Sequence, residues 1–88
     1  MIHYRSIKTE LIFTGRVIID SINLIGGTTN SNIVINDSTD GSGNDVVEIK
    51  VLANTSQKID FGQYGLTLDN GIYSTISGTG AKVDIYVK

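Results

Sequence analysis

Apolar residues recur at every second position along much of this chain, and that spacing limits its fold more than any other property. Val47, Ile49 and Val51 alternate with Glu48 and Lys50, and Val83, Ile85 and Val87 alternate with Asp84, Tyr86 and Lys88. Side chains two residues apart share one face of a strand, so each run predicts a half-buried strand. Ile59 and Phe61 repeat the pattern between Lys58 and Asp60, and Leu66 and Leu68 read as buried. The last third, Gly65–Lys88, reads as two strands folded back on each other at Ser77-Gly78-Thr79-Gly80. On that reading Ile72, Ile76, Val83, Ile85 and Val87 face a core, while Tyr73 and Tyr86 lie together on the outer face.

The first half is less regular. Ile2–Phe13 is rich in β-branched and aromatic residues and predicts a strand stopped at Thr14-Gly15. Arg16–Ile25 predicts a second strand with apolar residues on both parities, Val17 and Ile19 on one, Ile18, Ile22 and Leu24 on the other. Such a strand is either covered on both faces or bulged near Asp20-Ser21, where its faces would switch. Gly26–Asn32 is a loop by composition, Ile33–Ile35 a short strand, and Asp37–Asp45 a polar turn. Val46–Ala53 and Gln57–Phe61 are strands, and Asp69-Asn70-Gly71 predicts a tight hairpin turn. About seven or eight short strands at such spacing predict an all-β fold: one small antiparallel β-sandwich over residues 1–88, jelly-roll or immunoglobulin-like.

A sandwich of 88 residues buries only roughly 60–65% of the surface of its unfolded chain. Chains this small are usually helped by disulfides, metals or partner subunits. Cysteine is absent and histidine occurs once, which removes disulfides and thiolate metal sites. Partner subunits are the help that remains, so a homo-oligomer is expected. Seven basic residues against nine acidic, scattered singly, argue against nucleic-acid binding, which needs clustered cations. No apolar run reaches membrane-spanning length, and Met1-Ile2-His3-Tyr4-Arg5 lacks the apolar core of a signal peptide. Synthesis in the cytoplasm, with no membrane partner, is the expectation.

Four groups of residues invite chemistry. Asp37, Asp40, Asn44 and Asp45 carry oxygen ligands suited to calcium, but the EF-hand register from Asp37 puts Ser42 where glycine is required. Turn geometry is the preferred reading, with no metal and no cofactor. His3 has no nucleophile elbow to serve. Gly78-Thr79-Gly80-Ala81-Lys82 lacks the spacing and the helix of a phosphate loop. Tyr4, Tyr64, Tyr73 and Tyr86 are aromatic with polar tips, which suits a protein interface first, cross-strand pairing second and a sugar site third. Asn36-Asp37-Ser38 and Asn54-Thr55-Ser56 match the glycosylation sequon incidentally.

The chain also resembles a family. Thr14-Gly15-Arg16-Val17-Ile18, Gly26-Gly27-Thr28-Thr29-Asn30, Asn32–Asp37, Asp40–Gly43 and Phe61 before Gly65-Leu66 occur in order. Asn70-Gly71-Ile72-Tyr73 and Ser77–Tyr86 follow, and Asn70–Tyr73 and Gly78–Val83 are the most specific parts. Together they resemble the small β-sandwich virion proteins of tailed bacteriophages. Asp60-Phe61-Gly62 departs from the Phe-Pro step common in that family. The resemblance implies a non-enzymatic structural role, as a capsid decoration (cement) or vertex protein on the virion surface. Its expected partners are the major capsid protein and copies of itself, as a trimer or pentamer. Ile2, Tyr4, Tyr73 and Tyr86 are the expected contact residues. The alternative is a tail or fibre component, or a host-glycan-binding module.

Overall fold

The alternating runs do become strands. The computed structural model describes residues 2–88, and among them there are nine strands and no helix. They are β1 (Ile2–Ser6), β2 (Glu10–Thr14), β3 (Val17–Ile25), β4 (Ser31–Asp37), β5 (Asn44–Val51), β6 (Ser56–Asp60), β7 (Leu66–Leu68), β8 (Gly71–Ser77) and β9 (Lys82–Val87). Two antiparallel sheets form. One runs β1-β9-β3-β6 with β7 also on β3, and the other runs β2-β8-β4-β5.

The order follows from one long ribbon, folded at the turn between β4 and β5. Along the ribbon β4 pairs with β5, β3 with β6 and β7, β2 with β8, and β1 with β9. Successive rungs fall in alternate sheets. Two lateral pairings, β3 with β9 and β4 with β8, seal the wrapped ribbon. This is the jelly-roll arrangement, and it decides against the immunoglobulin-like alternative.

Between the sheets lie Ile19, Ile22, Leu24, Ile33, Ile35, Leu68, Ile72, Val83 and Ile85, all fully buried. Each such side chain contributes about 1.5–3 kcal/mol by leaving water. The doubly apolar β3 is resolved by a bulge: its register against β9 shifts between Ile19 and Ser21. Asp20 takes up the extra position, so Val17 and Ile19 before it and Ile22 and Leu24 after it all turn inward.

Three expectations are corrected. The closing pair of strands is not a hairpin, because β8 and β9 lie in opposite sheets. Both have apolar inner faces, and that parity is the same whether strands pair edge to edge or stack across a core. The turn at Ser77–Ala81 is a corner between sheets, helped by positive φ at Gly78 and Gly80. Asp69-Asn70 is likewise a corner, since β7 and β8 belong to different sheets. The expected strand Ile2–Phe13 is two strands, one in each sheet. It breaks where the Ser6 hydroxyl donates to the Lys8 carbonyl (2.7 Å) and is placed 2.9 Å from Glu10 Oε1. A serine that satisfies nearby groups in this way competes with strand continuation.

Candidate functional site

The four expected contact residues do not share one surface. Tyr73 pairs with Asn36 and Leu11 on the outer face of the β2-containing sheet. Its ring lies under Gly41, where an added Cβ would stand 3.1 Å from Cε1. Tyr86 is on the far side of the molecule, on the outer face of the β1-containing sheet, stacked on His3 at 4.7 Å and 13°. The sequence reading placed these two tyrosines together because it paired β8 with β9. Tyr4 points inward and meets Phe13 across the gap between the sheets, ring centroids 6.3 Å apart. Ile2, more than half exposed, opens β1 beside it.

Ile2 and Tyr4 therefore mark one side of the sandwich, where β1 and β2 are the edge strands of their sheets. Exposed Ile7 and Leu11 continue its apolar character. The two edges differ. β2 is bulged between Leu11 and Phe13, which blunts it against pairing. β1 is in unbroken register with β9 from Ile2 to Ser6. His3 and Arg5 on it are drawn sideways: Arg5 forks onto Asp84 with Nε 2.7 Å from Oδ1 and a terminal nitrogen 2.9 Å from Oδ2. His3 Nε2 reaches the same carboxylate at 2.8 Å.

Asp84 is 3% exposed, a buried charge that the alternating pattern had put in solvent. No local signal marks it, because the residues that cover it come from β1, some eighty positions earlier in the chain. The Arg5 fork holds its carboxyl below the usual carboxylate range, and the His3 hydrogen bond adds to this against the cost of burial. A depressed pKa in the fold stabilises it above the unfolded-chain value of about 3.9 and ceases to do so as pH falls through the folded value. Wild-type protein is therefore expected to lose stability on acidification below about pH 4, and Asp84→Asn to lose less. Parallel urea-unfolding curves for the two proteins at neutral pH and at pH 3 would refute this role.

At one end of the same side lies an apolar groove of about 350 Å³. Beside it the pairing of β9 with β3 runs to Ile19 and Val87, and the Lys88 amide closes on the Ile18 carbonyl at 2.9 Å. Val17, Ile18 and Phe13 are left facing the gap, with Ile2 and Val87 opposite and Arg16 and Lys88 at the rim. A second cleft of about 290 Å³ runs past Asn30, Asn32, Lys50, Val51 and Leu52 on the other sheet. Asn32 Oδ1 is buried there with no hydrogen-bond partner.

The acidic loop considered for calcium spends its carboxylates on hydrogen bonds within the protein. Asp37 accepts from the amides of Asn70 (2.8 Å) and Asp69 (3.2 Å), which ties the ribbon tip to the β7–β8 corner. Asp40 accepts from Ser42, and Asp45 from Asn36. Asn36, 4% exposed, also bonds both backbone groups of Gly43. No group of three His, Cys, Asp or Glu residues among the described residues is placed to hold a metal ion.

The fold and these surfaces define a small jelly-roll β-sandwich with one apolar, partly open side. Viral capsid domains, lectins and cupins share this architecture, so it fixes a class of scaffold and not an activity. Comparison with protein-family models, with curated proteins and with solved structures gives no match.

Proposed function

We propose that this chain is a non-enzymatic structural protein of a tailed-bacteriophage virion, a capsid decoration (cement) or vertex protein that sits on the outer head and bridges capsomers. The observation that supports it is the unprotected β1 edge beside an apolar side. A regular edge whose charges are tied to Asp84 invites a strand from a neighbour. The neighbour is the major capsid protein, which would pair with Ile2–Ser6 by β-augmentation and cover Ile2 and Tyr4. Binding only the assembled shell stabilises that shell by mass action. Purified protein is expected to co-sediment with isolated heads and to raise their disruption temperature. Binding to tails alone, or to neither, would sink the proposal.

The cleft past Asn30 and Lys50 favours a second reading, a host-glycan-binding module on a tail or fibre. The exposed amide of Asn30 and ammonium of Lys50 in its lining can hydrogen-bond a sugar's hydroxyls. A glycan array without hits, together with unchanged host adsorption for Asn32→Ala, would remove it.

A further inference from the structure

We propose that the Asn70-Gly71 corner is a site of spontaneous deamidation that Asp37 keeps closed. While the ribbon tip grips the corner, the Asn70 carboxamide persists; once the grip opens, Asn70 is converted irreversibly to aspartate and isoaspartate. Such a site is independent of the virion role and needs no partner. Asn70 is the only asparagine in the chain followed by glycine, and it is exposed between β7 and β8. Its backbone carries hydrogen bonds on both sides: the amide donates to Asp37 Oδ1 at 2.8 Å, and the carbonyl accepts from Gly15 at 3.0 Å. The glycine after it is a steric necessity. Gly71 has φ 149°, and a Cβ on it would overlap the Phe13 carbonyl oxygen and stand 3.1 Å from that of Ser38. The fold therefore cannot shield Asn70 by placing a side chain on the next residue.

The reaction uses the chain's own atoms and solvent. The Gly71 backbone nitrogen, having lost its proton to solvent base, attacks Cγ of Asn70 and forms a new C–N bond. The tetrahedral adduct expels the side-chain nitrogen as ammonia and leaves a five-membered succinimide. Water then breaks one of the two imide C–N bonds. Breaking the new bond gives aspartate, and breaking the original backbone bond gives isoaspartate. In sum one carboxamide and one water become one carboxylate and one ammonium ion, with no change of oxidation state. Two conditions set the rate. The Gly71 nitrogen must shed its proton, and the corner must bend until that nitrogen reaches Cγ.

Asp37 opposes both. It closes β4, and its two carboxylate oxygens take the Asn70 and Asp69 amides at 2.8 and 3.2 Å. The Gly71 amide faces the same carboxylate, and these amides, Asn70's first, hold the group below the usual carboxylate range. It stays charged, and a negative charge at that place disfavours the loss of a proton from the Gly71 nitrogen. With the Gly15 amide on the other side, the corner is held from two directions and bends only as far as those bonds open. The product does not close again. A carboxylate at position 70 stands beside Asp37 and Asp69, and like charges repel. Isoaspartate also inserts an extra backbone carbon at the corner.

Peptide mapping by mass spectrometry, with isoaspartate counted by enzymatic methylation, tests this on the full chain aged in mildly alkaline buffer. Folded wild type is expected to lose the Asn70 amide on the order of tenfold more slowly than the same chain unfolded in guanidinium chloride, the effect of one charge-assisted hydrogen bond. Asp37→Ala should recover most of that difference, while Asn30 and Asn44 deamidate at their wild-type rates. Asp37→Asn keeps the shape without the charge and should fall between, and it carries the test if the alanine variant fails to fold. Equal rates at Asn70 in folded and unfolded wild type would overturn the proposal, as would an Asn70 rate unmoved by both substitutions. A rise shared equally by Asn30 and Asn44 would overturn it too, because the whole molecule would then have loosened and not the corner alone.

Discussion

Ile85→Ala is expected to cost about 2–5 kcal/mol of folding stability, and in a domain this small that is a large part of the total of about 5–15 kcal/mol. Ile85 is fully buried on β9, where it is flanked by Tyr4 on β1 and by Ile22 on β3. β9 is held by ladder hydrogen bonds to both neighbours, so the site cannot close over a missing side chain. The loss is then the transfer energy of the deleted carbons plus the energy of an unfilled cavity. Urea unfolding should show a lower midpoint at unchanged slope. Ile7→Ala is the comparator, since Ile7 is 67% exposed at the β1–β2 corner, and it should shift stability by less than about 0.5 kcal/mol. Equal effects at the two positions would mean that Ile85 is not part of the core.

The contrast between Ile85 and Tyr86 also shows what the residue pattern carried. Parity assigned Val47, Ile49 and Val51 to one face, and it assigned Ile72, Ile76, Val83, Ile85 and Val87 to the core. The structure buries Ile49, Val51, Ile72, Val83, Ile85 and Val87, with Val47 and Ile76 half-buried. A bulge at Asp20-Ser21 was one of two readings of β3, and the register shift there selects it. Parity says which way a side chain points and nothing about which strand lies beside it. In a wrapped ribbon that gap is at its widest, because the pairing of Ile2 with Val87 joins the two ends of the chain. Hence β8 and β9 were read as a hairpin, Tyr73 and Tyr86 as one surface, and Asp84 as solvent-exposed. The groove was illegible for the same reason: its walls, Ile2, Phe13, Val17 and Val87, come from four different strands.

Gly27→Ala is expected to be as damaging as a core truncation, although it adds a single methyl group in a loop. Three connections meet at that end of the sandwich, residues 26–30, 52–55 and 78–81. The Gly26 amide donates to the Thr55 carbonyl at 2.7 Å, Asn54 to the Gly27 carbonyl at 2.8 Å, and Thr28 to the Thr79 carbonyl at 2.9 Å. Thr79 returns a bond from its amide to Thr29 Oγ1 at 2.9 Å. A Cβ on Gly27 would overlap the Thr79 carbonyl oxygen and lie 2.6 Å from the Gly80 carbonyl carbon. These obstacles are backbone, so no side chain can rotate away, and the 26–30 and 78–81 connections must part. Overpacking costs about 1–3 kcal/mol, and each broken hydrogen bond adds about 0.5–1.5 kcal/mol, which together predict a loss of about 2–5 kcal/mol. The informative comparator is Gly80→Ala across the same contact. Gly80 has φ 79°, but its added Cβ would find only Gly27 Cα, at 3.7 Å. It should therefore cost only the left-handed penalty of about 1–2 kcal/mol. Thermal unfolding of both variants separates steric closure from backbone preference. If Gly80→Ala proves the more harmful, the end of the sandwich is held by turn conformation and not by the close approach of its loops.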